Sequence, residues 1–217
     1  LKIENLLYTG AKELGIELES AKIEMFSIYL QLLKKWNKKI NLTSIQGDEN
    51  IVIKHFLDSL SVSRLLNIKS NLLDIGSGGG FPGLPLAIVH NDLSVTLLDS
   101  AEKKVVFMKE VIRNLKLRNA LALKGRAEDH NNNVKRNFYG YVVTRAVGDI
   151  KKVLDFSLPY IDKGGKILLM RGKDGERDLN TFDESLAQYE SYNLKVSKVK
   201  LNLPFSDFDR SIVIVSL

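Results

Sequence analysis

Two hydrophobic rhythms divide the chain near residue 70. Over residues 3–15, 19–38 and 48–67, apolar side chains recur at three- and four-residue intervals, the pattern of helices that bury one face. In the second stretch Ile23, Phe26, Ile28, Tyr29, Leu32, Leu33 and Trp36 gather on one side, while Lys22, Glu24, Lys34, Lys35 and Lys38 take the rest. From residue 71 short apolar runs alternate with helical patterns, which predicts strands joined by crossover helices and hence a parallel sheet. The predicted strands cover 72–75, 95–98, 120–123, 140–144, 166–170, 195–200 and 212–215, and the intervening helices 82–89, 102–115, 150–159 and 175–189. The expected fold class is therefore α/β. A helical layer over 1–68 packs on a seven-stranded, mostly parallel sheet unit over 69–217 as one compact body.

Composition narrows the class. The 217 residues fit one large domain or a domain with a small accessory layer. The longest apolar run, 83–89, contains a proline and is far below the roughly 20 residues that span a bilayer, so no membrane partner is expected. Lys2, Glu4, Lys12 and Glu13 interrupt the apolar block a secretory signal needs, and the expected location is cytoplasmic. With no cysteine, disulfides, cysteine-ligated zinc and thiolate nucleophiles are excluded, and no metal is expected. The net charge of +6 is unevenly spread: residues 71–100 carry three acidic side chains and no basic one, whereas 101–130 carry eight basic and four acidic. That distribution suits a cationic or zwitterionic cofactor in an acidic pocket, flanked by surfaces that attract a polyanion. A solvated lysine-rich surface would give the same net charge.

Residues 72–83 read LLDIGSGGGFPG, a buried strand followed by Gly76, Gly78 and Gly80, with Pro82 opening a helix. A strand that turns sharply into a helix needs positive φ angles and room for a ligand to touch backbone, and glycine supplies both. Asp99 ends the next strand, 23 residues after Gly76, where a carboxylate can accept hydrogen bonds from ribose hydroxyls. These features together mark a nucleoside site. A phosphate-binding P-loop would need a lysine after Gly83, but Leu84 stands there. A dinucleotide fingerprint would need a small residue at 81, where Phe81 crowds the approach of a pyrophosphate. S-adenosylmethionine has no phosphate: its ribose can use Asp99, and its amino-acid end can sit against the glycine turn with Asp74 near the ammonium. After the third strand, Gly125-Arg126-Ala127-Glu128-Asp129 either meets an adenine edge or is a charged loop whose carboxylate starts a helix.

The residues also bound the reaction. Methylation of pyrimidine C5 requires a cysteine nucleophile and is excluded. Exocyclic-amine methylases resemble one another in an Asn/Asp-Pro-Pro-Tyr/Phe motif after the fourth strand, where this chain reads VVTRAVG over 142–148. A purine ring nitrogen such as guanine N7 keeps an in-plane lone pair and can attack a methyl sulfonium without prior loss of a proton. Such an enzyme needs positioning more than acid–base groups, and no residue is assigned a proton-transfer role.

An ordered set of residues resembles the bacterial small-subunit ribosomal RNA guanine-N7 methyltransferases, the glucose-inhibited division protein B family. It comprises Trp36-Asn37, Asn41-Leu42-Thr43, Lys54-His55-Phe56-Leu57-Asp58-Ser59, the Gly76 to Gly83 turn, Leu98-Asp99-Ser100, Gly125-Arg126-Ala127-Glu128, Thr144-Arg145-Ala146, Met170-Arg171-Gly172 and Arg210. The resemblance implies a Rossmann-like class I S-adenosylmethionine-dependent methyltransferase, with a guanosine of 16S rRNA or of the small ribosomal subunit as acceptor; a monomer is expected. It implies that Gly78, Gly83, Ala127, Glu128 and Arg145 touch the cofactor, with Asp99 and Ser100 at its ribose. It further implies a basic cluster of Arg126, Arg145, Arg210 and a cation at 171 or 173. The family's usual Lys-Gly is replaced here by Arg171-Gly172-Lys173, and arginine's planar fork is not equivalent to lysine's point charge.

Positive charge builds on the guanine during transfer, so a cation held against the ring opposes the reaction unless it hydrogen-bonds O6 and is screened by phosphate. Arg171 and Arg210 are accordingly expected to dock RNA, and the bland alternative for Arg210 is a surface ion pair with neighbouring Asp207 or Asp209. His55 and Asp58, three apart, are expected to share a helix face as a hydrogen-bonded pair fastening the helical layer. Phe81 is a core anchor or a lid over the cofactor, and Trp36 ends the apolar face of its helix. The competing functions are a small-molecule N- or O-methyltransferase on the same sheet and a nonenzymatic RNA-binding module.

Overall fold

The computed structural model describes residues 3–129, 132–145, 148–172, 186–207 and 210–217. Helices α1 (Ile3–Glu13) and α2 (Ser20–Asn37) are followed by one helical run through α3 (Asp48–Ile51), a π-helical stretch (Val52–Leu57) and α4 (Asp58–Leu60). The third predicted stretch thus stops short of 67, and a 3₁₀ turn follows at Ser63–Leu65. Seven strands come next: β1 (Asn71–Ile75), β2 (Ser94–Asp99), β3 (Ala120–Lys124), β4 (Tyr139–Arg145), β5 (Ile161–Arg171), β6 (Lys195–Leu201) and β7 (Arg210–Ser216). Between them lie α5 (Gly83–Val89), α6 (Glu102–Leu115) and α7 (Ile150–Ser157).

The sheet order is β3-β2-β1-β4-β5-β7-β6, and β7 runs opposite to the other six described strands. Strands β1 and β4 and the second half of β5 are buried on both faces, and alternation sorts their side chains between two cores. Leu72, Leu97, Val143, Leu168 and Met170 join the face packed by the N-terminal helices, α5 and α6. Leu73, Leu98, Val142, Ile167 and Leu169 join the opposite face with α7. The first core runs without a break from Leu6, Phe26 and Tyr29 into Leu84 and Phe107.

Several predicted boundaries shift. Pro82 precedes α5 rather than opening it, and α7 ends at Ser157 because Leu158 to Tyr160 turn directly into β5. Strand β5 begins five residues before the predicted start: Ile161 pairs with Tyr139, and a register shift follows between Tyr139 and Tyr141. Most of the predicted helix over 175–189 lies outside the described residues, and the segment Leu186–Tyr192 is 3₁₀ rather than α, with a kink at Tyr189. In α5 no cap follows from local sequence, yet the two-hydrogen amide of Asn119, before β3, is shared among the carbonyls of Ala87, His90 and Leu93 (3.1, 2.9 and 3.0 Å) and closes the helix end.

Candidate functional site

The parallel strands end along one edge, and the order reverses between β1 and β4, so the crossovers leave on opposite faces and open a crevice there. The glycine turn fills that point. Gly76, Gly78 and Gly80 all adopt positive φ, as the sequence predicts, at 75°, 58° and 91°. At Gly80 space is also limiting: a Cβ would stand 2.8 Å from both Leu84 Cγ and the Tyr29 hydroxyl. Gly83 is needed for a different reason. Asp74 Oδ2 accepts its backbone N–H at 2.8 Å, an approach that a side chain at 83 would block. Asp74 is fully buried. Its carboxylate serves the start of α5 and does not line the cavity described next, where the sequence places it near an ammonium. Burial, helped by the Asp99 charge, raises its pKa to about 7 against the hydrogen bond from Gly83 and the charge of Arg145.

A cavity of about 270 Å³ opens beyond β1, β2 and β3. Ile75, Gly76, Leu98, Asp99 and Ser100 line one side, the loop Gly125, Arg126, Ala127 and Glu128 another, and Lys104 and Phe156 complete it. Asp99 accepts from Gly78 N–H through Oδ2 and from Ala101 N–H through Oδ1, both at 2.9 Å. A carboxylate has about four acceptor positions, so two remain for a pair of vicinal hydroxyls. Of the residues predicted to hold a cofactor, Gly76, Asp99, Ser100, Ala127 and Glu128 therefore come together, whereas Asp74, Gly78, Gly80, Phe81, Gly83 and Arg145 stand outside the lining.

Local sequence gives no warning of what braces this cavity. Tyr160, buried before β5, donates to the Ala127 carbonyl at 2.7 Å, and Asn132 spans the Tyr160 hydroxyl and the Arg126 carbonyl. Tyr29, on α2, donates its hydroxyl to the Gly79 carbonyl. Its ring stacks on Phe81 at 5.5 Å, and His55 covers Phe81 at 4.3 Å and 6°. Phe81 is thus anchored in an aromatic stack, and Trp36 packs on Phe107. Replacing Tyr29 by Phe is expected to strand a buried carbonyl and cost about 1–3 kcal/mol in urea unfolding. An unchanged midpoint would mean that Gly79 finds another donor.

The basic residues divide into two groups. Arg126 sits beside the cavity, after β3, and is exposed. Arg145, Arg171 and Arg210 stand at the ends of β4 and β5 and the start of β7, which the register brings to the same sheet edge. Lys173 lies outside the described residues, as do Ala146 and Asp209. Arg171 is 8% exposed and donates to the Gly148 carbonyl at 2.9 Å.

His55 and Asp58 do not pair with each other. Both converge on Arg145, which donates to His55 Nδ1 (2.5 Å), Asp58 Oδ2 (3.1 Å) and the Lys54 carbonyl (3.1 Å). A π-helical stretch supplies the reason: it alters the angular spacing that an α-helix would give residues three apart. Arginine can only donate, so His55 Nδ1 accepts and Nε2 carries the proton toward Thr43 Oγ1 at 2.6 Å. Burial first, then the charges of Arg145 and Arg210, lower the His55 pKa to about 3. Arg210 pairs with Asp58, its Nε 2.8 Å from Oδ1.

Comparisons with known proteins agree with this architecture. The family model described as rRNA small subunit methyltransferase G matches residues 22–212. The ribosomal RNA small subunit methyltransferase G of Geobacter sulfurreducens is 40% identical over 96% of this chain and 94% of its own length. That of Acetivibrio thermocellus is 38% identical over 99% and 88%. Among solved structures, a SAM-dependent methyltransferase from Aquifex aeolicus aligns with TM-score 0.58 at 15% identity, covering 87% of this chain and 98% of that one. M. jannaschii TYW2 in complex with AdoMet aligns at 0.60 and 14% identity, covering 82% and 78%. These likenesses establish the S-adenosylmethionine-dependent methyltransferase fold. With the family model spanning most of the sequence and relatives matching nearly its whole length, the chain belongs to the rRNA small subunit methyltransferase G family.

Proposed function

We propose that this protein transfers the methyl group of S-adenosylmethionine to N7 of a guanosine in small-subunit ribosomal RNA. The observation that carries this reading is the neighbourhood of two features on one sheet edge. A cavity whose Asp99 retains acceptor capacity for a ribose lies on one side of the switch point, and Arg145, Arg171 and Arg210 lie on the other. When bound, the donor supplies an electrophilic methyl: its bond to sulfur breaks, sulfur keeps the electron pair, and the N7 lone pair forms the new bond with no proton lost.

The chain's own residues bind, orient and screen. Asp99 and Ser100 hold the ribose, and Ala127 and Glu128, kept in place by Tyr160 and Asn132, meet the adenine edge. Gly76, Gly78, Gly80 and Gly83 shape the turn at the crevice, and their N–H groups are held by Leu98, Asp99, Ser77 and Asp74. Arg126, Arg171 and Arg210, with exposed Lys35, Lys38 and Lys39 at the end of α2, attract the polyanion. No helix among the described residues is long and apolar enough to cross a membrane. An rRNA acceptor places the reaction in the cytoplasm.

The test incubates the protein with methyl-labelled donor and either naked small-subunit rRNA or assembled subunits lacking the modification, then maps the labelled nucleotide. Label at N7 of one guanosine is expected. Transfer to small metabolites alone would remove the rRNA assignment.

A further inference from the structure

Asp58 lies between the helical layer and the sheet, 1% exposed, and its two oxygens face different arginines. Oδ2 accepts from Arg145 Nη1 at 3.1 Å, and Oδ1 is 2.8 Å from Arg210 Nε. Arg145 ends β4 and Arg210 begins β7, so one carboxylate from the N-terminal layer joins two strands that are not neighbours in the sheet.

A tie between layers would need one cation. Here two guanidiniums share a single carboxylate, which leaves a net positive charge at the edge of the crevice. Each also keeps donors to spare. Arg145 commits its Nη1 group and one Nη2 hydrogen, and Arg210 contacts Asp58 through Nε; the remaining N–H groups have no partner among the described residues. The two side chains remain 18% and 28% exposed, so those donors can be reached. Without the carboxylate, two like charges would repel one another, and both would oppose positive charge arriving on a nearby purine.

We infer that Asp58 is a positioning residue for the acceptor nucleotide. It holds Arg145 and Arg210 together with their outer donors available to RNA, and cancels one of two charges that oppose methyl transfer. Orientation comes from His55, whose Nδ1 accepts a further N–H of Arg145 while its ring lies on Phe81. This inference rests on the rRNA methylation proposed above and adds the group that organises the acceptor side.

Single-turnover methylation of small-subunit rRNA at saturating RNA and donor, with wild type and Asp58→Asn, tests it. The expected result is a loss in transfer rate on the order of 100-fold, the scale of small misplacements of bound reactants. The dissociation constant for S-adenosylmethionine stays within about twofold by calorimetry, since Asp58 stands outside the cavity. RNA binding is unchanged or tighter, because the variant carries one more net positive charge. Should Asp58→Asn not fold, Asp58→Glu keeps the charge and the tie but displaces the guanidiniums by one methylene, and a loss of at least about tenfold is expected. Rates within about threefold of wild type in every variant that folds, or a fall in RNA affinity that accounts for the lost rate, would overturn the inference while leaving the activity intact. A wild type that methylates no RNA would overturn the underlying reading and this inference with it.

Discussion

Replacing Gly80 by alanine is expected to lower folding stability by about 2–6 kcal/mol and to abolish most donor binding. Two costs add. The residue sits at φ 91°, where an L side chain is strained by about 1–3 kcal/mol. The new methyl would also overlap Leu84 Cδ1 and stand 2.8 Å from Leu84 Cγ and the Tyr29 hydroxyl, an overpacking cost of about 1–3 kcal/mol. Neither neighbour can yield cheaply: Leu84 is fully buried, and Tyr29 is held by its bond to the Gly79 carbonyl. Relief must come from the turn itself, which carries Gly78, the backbone partner of Asp99. Urea unfolding and calorimetry with S-adenosylmethionine read the two effects together. A variant within 0.5 kcal/mol of wild type with normal donor affinity would show that the turn is more accommodating than its packing implies.

The second large effect is a pH dependence with two opposing arms. The Asp74 pKa is about 7 in the fold against the ordinary 3.8. A raised carboxylate contributes stability below its unfolded pKa and loses it as pH rises, so Asp74 costs the fold progressively more from pH 4 to pH 7, by about 4 kcal/mol over the whole window. His55 works the other way. Its pKa, lowered from 6.5 to about 3, gives stability that is fully present above pH 6.5 and is lost as pH falls toward 3. Between pH 4 and 6.5 the two slopes offset one another.

Asp74→Asn removes one arm. Measured against wild type by urea unfolding at pH 4, 5.5 and 7.5, the substitution is expected to become steadily less destabilising with rising pH, shifting by about 4 kcal/mol in favour of asparagine. Asp58, whose pKa burial also raises, is present in both proteins and cancels in the difference. A difference independent of pH would mean that Asp74 is ionised in the fold throughout the range.

How much of this was legible depends on which physical signal each feature leaves in the chain. The glycine turn was legible because its requirement is local: positive φ and a close backbone approach leave few residue types possible at 76, 78 and 80. Helix α6 was legible to the residue, since Val105, Met108, Val111 and Leu115 repeat at the period that buries one face. Asp99 was found from its place at the end of β2, although its two bonds to the N–H groups of Gly78 and Ala101 were not. The Arg210 ion pair with Asp58 is not legible, because nothing in a linear reading points 152 residues back.

The sequence by itself determined the strands, the crossover pattern, the nucleoside turn and the chemistry excluded by the absence of cysteine. All of these follow from periodicity, φ preference or residue type, which act over a few positions. Only the tertiary structure decided what supports the crevice. Tyr29 closing on Gly79, Tyr160 holding Ala127, His55 stacked on Phe81 and Asp58 shared by two arginines each join groups from different elements. Their partners are chosen by sheet order and by burial, which bring donors and acceptors from distant segments together out of water while leaving a few, such as Asp74 Oδ1, unmatched.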